Sequence, residues 1–246
     1  DKEADDRYHH YLMALENPQI NYISIKISGI YAQINALNYE RNKEELVLRL
    51  SEIYRKAMNF PYIDQHGFSQ AKFVNLDMEE YKDARLTLDV FMAVLNLAEF
   101  KHYSAGIVVQ AYLPDACGFQ SELLNFAHKR VHEGGAALKM RLVKGANLAM
   151  ETVISSLKGW ENPIYDNKVD VDANYLKLLD RALLPENAAV MRVGVASHNL
   201  FTIAYAHLLS QKNGVEQFLS FEMLEGMANY LRSEERRVGK ECRSRW

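Results

Sequence analysis

The chain has 246 residues, of which 48 % are apolar and 25 % charged, with a formal net charge of −3. That balance suits one sizeable folded domain and argues against a low-complexity chain or one whose main partner is nucleic acid. Cys117 and Cys242 are the only cysteines, which excludes a disulfide framework and a zinc pattern, and no apolar run of about 18 residues offers a membrane-spanning helix.

Residues 4–16 read as a helix, with Tyr8, Tyr11, Leu12 and Leu15 at helical spacing and Asn17-Pro18 as its stop. The chain opens inside this helix, and no signal-peptide pattern is seen. Six strand-like segments follow: Tyr22–Ser28, Lys72–Leu76, Gly106–Tyr112, Ala137–Val143, Val190–Ala196 and Phe218–Met223. Helical patterns lie around them at about 40–58, 79–97, 119–133, 147–158, 168–182 and 199–212, the last closed by Asn213-Gly214. Strands alternating with helices imply βαβ units and a mostly parallel sheet. Two architectures suit this: a distorted (βα)8 barrel truncated to about six βα units, or an open doubly wound sheet. No G-x-G-x-x-G follows the first strand, which lowers the second option.

From residue 232 the composition turns to Arg, Glu, Lys and Ser without apolar periodicity. The stretch Arg232–Trp246 resembles translated sequencing adapter. It is read as a non-native or disordered tail, and residues 1–231 as the partial barrel; without the tail the chain is more acidic.

Parallel barrels gather their chemistry at the carboxyl ends of strands. Those positions here are polar: Lys26 and Ser28; Asp77, then Glu79-Glu80; Gln110; Arg141 and Lys144; Ser197-His198-Asn199; Glu222 and Glu225. Each residue has a structural reading as well. Lys26 suits a solvated strand face, Asp77 a helix cap, Gln110 a buried amide satisfying backbone, and His198 a core or cap-region histidine. Glu79-Glu80 reads as charge complementing a helix dipole, and Glu222 as a partner for a strand-end cation. The richest segment is Lys139–Asn147. There Arg141 can fork onto an acceptor, Lys144 can meet an anion, and Gly145 lets a ligand approach the backbone. No metal-ligand set, nucleophile elbow or phosphate loop is evident. Residue patterns alone stop at a barrel-like enzyme with an anionic or polar ligand, and leave open one using Lys26 or Lys144 for a phosphate or a Schiff base, and a non-catalytic interaction module.

Six segments occur in order: Tyr22-Ile-Ser-Ile-Lys26-Ile-Ser28, Val74-Asn-Leu-Asp77, Gln110-Ala-Tyr-Leu-Pro-Asp115, Arg141-Leu-Val-Lys144-Gly-Ala146, Val195-Ala-Ser-His198-Asn199 and Phe221-Glu-Met-Leu-Glu-Gly-Met227. Together they resemble the proline dehydrogenase domain, including that of bifunctional proline utilisation flavoproteins. The resemblance implies a distorted barrel that binds FAD and oxidises L-proline to 1-pyrroline-5-carboxylate by hydride transfer to flavin N5. It also implies electron transfer to a quinone, a cytoplasmic bacterial protein with peripheral contact to the inner membrane, and a pyrroline-5-carboxylate dehydrogenase domain in some parents.

Carried over residue by residue, the resemblance gives Asp77 and Arg141 catalytic roles and places Lys26 and Leu224 against substrate. Asp77, Gln110, Arg141, Val143, Lys144, Gly145, Ala146, Lys168, Ser197, His198 and Asn199 fall on the cofactor, with Lys168 near its adenosine half. A cation beside the flavin stabilises the charge of its reduced form. Two departures stand out. Asn147-Leu148 follow the fourth motif where many members have Tyr-Trp. The family's last two strands and its substrate-gripping Arg-Arg pair have no counterpart before residue 232, so the chain by itself is expected to be inactive.

Overall fold

A computed structural model of the chain describes residues 2–223. The described residues form two compact units, one of residues 2–107 with Gly134–Ala136, the other of residues 108–133 with 137–223.

In the first unit, α1 (Lys2–Glu16) buries Ala4, Tyr8 and Leu15. β1 (Tyr22–Lys26) runs straight into a one-turn helix α2 (Ile27–Ile30), so Ser28 is helical; the expected strand ends at Lys26. α3 (Tyr39–Asn59) places Leu46, Leu50, Ile53, Tyr54 and Ala57 on one buried stripe. Its neighbour α4 (Tyr81–Leu95) buries Leu88, Phe91 and Leu95. A two-residue hairpin, β2 (Tyr62–Ile63) with β3 (Ser69–Gln70), was not legible in the sequence. It turns on Asp64, whose Oδ1 accepts from the His66 and Phe68 amides, and on Gly67 at φ +84°. β4 (Phe73–Asp77) pairs parallel with β1, and the start of β5 (Gly106–Gln110) pairs parallel with β4. Lys72, before β4, is fully buried, and its ammonium donates to the Asn17 carbonyl at 2.5 Å. Burial alone pushes this amine below the usual lysine range.

In the second unit β5 is buried along its length, as expected of a parallel strand covered on both faces. α5 (Ala116–His132) leads to β6 (Leu138–Val143), its neighbour in the sheet. α6 (Leu148–Lys158) closes on Gly159 in the left-handed region. α7 (Lys168–Ala182) is capped by Asn167, which accepts from the Asp170 amide. A short α8 (Pro185–Val190), which the sequence patterns did not show, precedes β7 (Met191–Ala196). α9 (Leu200–Asn213) ends at left-handed Gly214, and β8 (Leu219–Glu222) completes the described strands. β6, β7 and β8 pair in parallel. Buried Asn174 ties α7 to this sheet by donating to the Ala111 and Leu113 carbonyls at 2.8 and 3.2 Å.

Candidate functional site

The predicted residues fall into two clusters, one in each unit. In the first unit β1 and β4 end side by side, with Lys26 the register partner of Asp77. Asn75 and Asp77, two apart on one strand, share a face. Buried Asn75 donates from Nδ2 to Asp77 Oδ1 at 2.7 Å. Gly106 on β5 leaves room for that amide, since a Cβ there would strike Asn75 Oδ1 and lie 3.0 Å from Phe73 ring atoms. Lys26 Nζ donates to Glu79 Oε1 at 2.8 Å, and Ser28 Oγ donates to the other carboxylate oxygen. Burial opposes ionisation of Glu79, but Lys26 and Ser28 hold its carboxyl below the usual range. Glu79 is thus the partner of a strand-end cation, which corrects its reading as helix-dipole charge.

In the second unit Gln110 ends β5 and is 3 % exposed, while Arg141 in β6 is fully buried. The two strand ends stay joined past the ladder, with Ala111 N donating to Val143 O and Tyr112 N to Lys144 O, each at 2.8 Å. Gly145 follows at φ +126°. Its missing side chain makes room for Tyr112, whose ring Cδ atoms would both lie 2.6 Å from a Cβ. Ala146 is exposed. Lys144 and Lys168 converge on Asp172, each ammonium 2.5 Å from one of its oxygens. Desolvation pushes the Asp172 pKa up, and the two lysines outweigh it and lower it. The turn after β7 is organised by its own side chains. Asn199 N donates to buried Ser197 Oγ at 3.1 Å, and Asn199 Oδ1 accepts from the Phe201 and Thr202 amides, capping α9. Half-buried His198 sits between them.

Glu222 closes the cluster. It is 1 % exposed; one oxygen is ion-paired with Lys139 Nζ and the other accepts from Arg141 Nε. Burial raises the cost of its charge, yet these cations hold its carboxyl below the usual range. The sequence reading of Glu222 as a partner for a strand-end cation agrees with this contact. Asn75, Tyr112 and Asp172 had not been singled out. Strand alternation pointed to Asn75, two residues before Asp77, and the i,i+4 spacing from Lys168 pointed to Asp172. Leu224, expected against substrate, and the stretch Arg232–Trp246 lie outside the described residues.

In the second unit an amide, a guanidinium, an ammonium and a hydroxyl therefore stand toward the carboxyl ends of parallel strands, beside a positive-φ glycine packed on Tyr112. That donor set suits a planar, acceptor-rich ring that gains negative charge.

Residues 1–245 match the sequence profile of the proline dehydrogenase family. The chain is 28 % identical over 214 residues to the bifunctional protein PutA of Escherichia coli, covering 85 % of this chain and 15 % of that protein. It is 26 % identical over 213 residues to human hydroxyproline dehydrogenase, covering 83 % of this chain and 43 % of that one. A solved structure of proline utilization A from Corynebacterium freiburgense is 43 % identical with a TM-score of 0.90, covering 98 % of this chain and 24 % of that one. The Bdellovibrio bacteriovorus protein inactivated by N-propargylglycine is 34 % identical with a TM-score of 0.85, covering 98 % of this chain and 26 % of that one. This chain thus spans less than half the length of these relatives. The likeness bears out the expected fold class, an α/β chain of barrel type, over the open doubly wound sheet.

Proposed function

Because the chain belongs to the proline dehydrogenase family, we propose that it carries the flavin-dependent oxidation of L-proline to 1-pyrroline-5-carboxylate, the first step of proline breakdown to glutamate. The observation that supports this best is fully buried Arg141 at the carboxyl end of β6, followed four residues on by positive-φ Gly145. FAD, when bound, would supply the hydride acceptor for the ring carbon beside the proline nitrogen.

The chain's own residues would bind and orient. Gln110 and Arg141 offer buried donors to the ring system, and Arg141 supplies the cation that a reduced flavin needs. The backbone of Val143, Lys144, Gly145 and Ala146 would run along the cofactor, its path set by Gly145 packed on Tyr112. Ser197, His198 and Asn199 form the further contacting turn, and Lys168 serves the adenosine half. In the first unit, Lys26 would meet the substrate carboxylate and Asp77 would offer an acceptor held in one orientation by Asn75. Leu224 is assigned to the proline ring. Electrons would pass on to a quinone, with the protein in the cytoplasm and in peripheral contact with the inner membrane. No described helix is long and apolar enough to cross a membrane. The word bifunctional in the relatives' name, of whose length this chain covers 15 %, supports a second activity in proteins of that kind, for which the resemblance implies a pyrroline-5-carboxylate dehydrogenase domain.

Because the chain by itself is expected to be inactive, the test uses an FAD-loaded protein in which this chain is joined to the family's last two strands, mixed anaerobically with L-proline, and separately with 4-hydroxyproline because the relatives include hydroxyproline dehydrogenases. L-Proline is expected to bleach the flavin absorbance faster. Asp77→Ala and Arg141→Met should slow bleaching by about 100-fold or more. A chain that retains no flavin, or variants that match the parent, would overturn the assignment.

A further inference from the structure

Glu222 reaches its cations across an intervening strand. β7 lies between β8 and β6, and neighbouring strands stand about 4.8 Å apart. Lys139, Arg141, Gly194, Ala196, Ser220 and Glu222 share one face, because Arg141 is opposite Gly194, Gly194 opposite Ser220, and Ala196 opposite Glu222. The crossing is possible only because β7 carries no side chain at residue 194. A Cβ there would strike Glu222 Oε1 and lie 3.0 Å from Lys139 Cε and 3.1 Å from Glu222 Cδ.

The result is a triad of one buried carboxylate, one buried guanidinium and a partly exposed ammonium. Arg141 is fully buried and Glu222 nearly so, while the Lys139 side chain keeps 15 % of its exposure. A buried guanidinium and a buried carboxylate are each costly alone, and together they hold one geometry. The acceptor on Nε fixes the plane of the Arg141 fork, and with it the direction in which its remaining N–H groups point.

We propose that Glu222 is a positioning residue for the redox centre. Through the gap at Gly194 it holds the Arg141 guanidinium by Nε and lowers the positive charge that the bound flavin meets. The inference rests on the assignment of Arg141 to the flavin. It goes further in naming what sets the strength of that cation.

The test compares the FAD-loaded chain with Glu222→Gln and Lys139→Gln, reading affinity for sulfite, a probe that binds oxidised flavin more tightly as local positive charge rises, and the flavin midpoint potential. Removing the carboxylate's charge with an isosteric amide should tighten sulfite binding roughly tenfold, the scale of one unit charge acting over about 12 Å at an effective dielectric near 20, and raise the potential. Lys139→Gln leaves Glu222 to Arg141 alone and should move both readings the opposite way. A purely structural Glu222 predicts altered melting with both readings unchanged, and that result overturns the proposal. If Glu222→Gln fails to fold, Lys139→Gln still decides: a shift supports the proposal and no shift sinks it. A parent chain that binds no flavin refutes instead the assignment on which the proposal rests.

Discussion

Gly145 and Gly194 are required for different reasons, and substitution separates them. At Gly145 the backbone lies at φ +126° and Tyr112 fills the side-chain space, so Gly145→Ala combines strain with a clash. We expect a loss of about 2–3 kcal/mol in denaturant unfolding, together with weakened flavin retention. At Gly194 no such backbone constraint exists, and the cost of alanine falls on Glu222 and Lys139. Gly194→Ala should therefore behave like loss of the Glu222 contact. Gly118 in α5 is the control, since a Cβ there meets nothing within 4 Å. Gly118→Ala should stabilise the chain by about 0.5–1 kcal/mol. A destabilised Gly118→Ala would show that these readings of space and conformation fail.

Among the elements, the turn into α9 bears on function because Asn199 has two assignments. Its Oδ1 accepts from the amides of Phe201 and Thr202, which is an N-cap, and the same residue falls on the cofactor-contacting turn. Asn199→Ala should cost about 1 kcal/mol of thermal stability, and Asn199→Asp should restore it, because aspartate caps equally well. If flavin affinity falls in both variants while melting recovers only in the aspartate, the side chain serves the cofactor as well as the helix. If affinity follows melting, Asn199 serves only the helix. Strand periodicity made β1 and β4 to β8 legible to within about two residues. The β2–β3 hairpin and α8 were not legible, since two-residue strands and a six-residue helix carry too little periodicity.

At the scale of the molecule, several ion pairs make the fold acid-sensitive in one direction. Glu222, Glu79 and Asp172 all have carboxyls held below their ordinary values, which are 4.5 for glutamate and 3.8 for aspartate. A lowered folded-state pKa contributes stability that is fully present above the unfolded value and lost as pH falls through the folded one. Unfolding midpoints should therefore hold steady above about pH 5 and fall progressively below about pH 4.5. Glu222→Gln should flatten that fall, as Glu222 is the most buried of the three. A Glu222→Gln chain with the same acid profile as the parent would remove Glu222 from this account.

The sequence by itself determined the order of the six strands of the main sheet and of the long helices, the polar character of the strand ends, and the family, because each is written in local periodicity or in ordered short motifs. It placed Lys26, Asp77, Gln110, Arg141 and Asn199 at strand ends for the same reason. Only the tertiary structure decided their partners. Asn75 on Asp77, Glu79 on Lys26, Asp172 between Lys144 and Lys168, and Glu222 reaching Arg141 over Gly194 depend on register and on side chains far apart in the chain. Register sets which faces meet, and no local pattern encodes the empty position at Gly194 through which a carboxylate on β8 finds a guanidinium on β6.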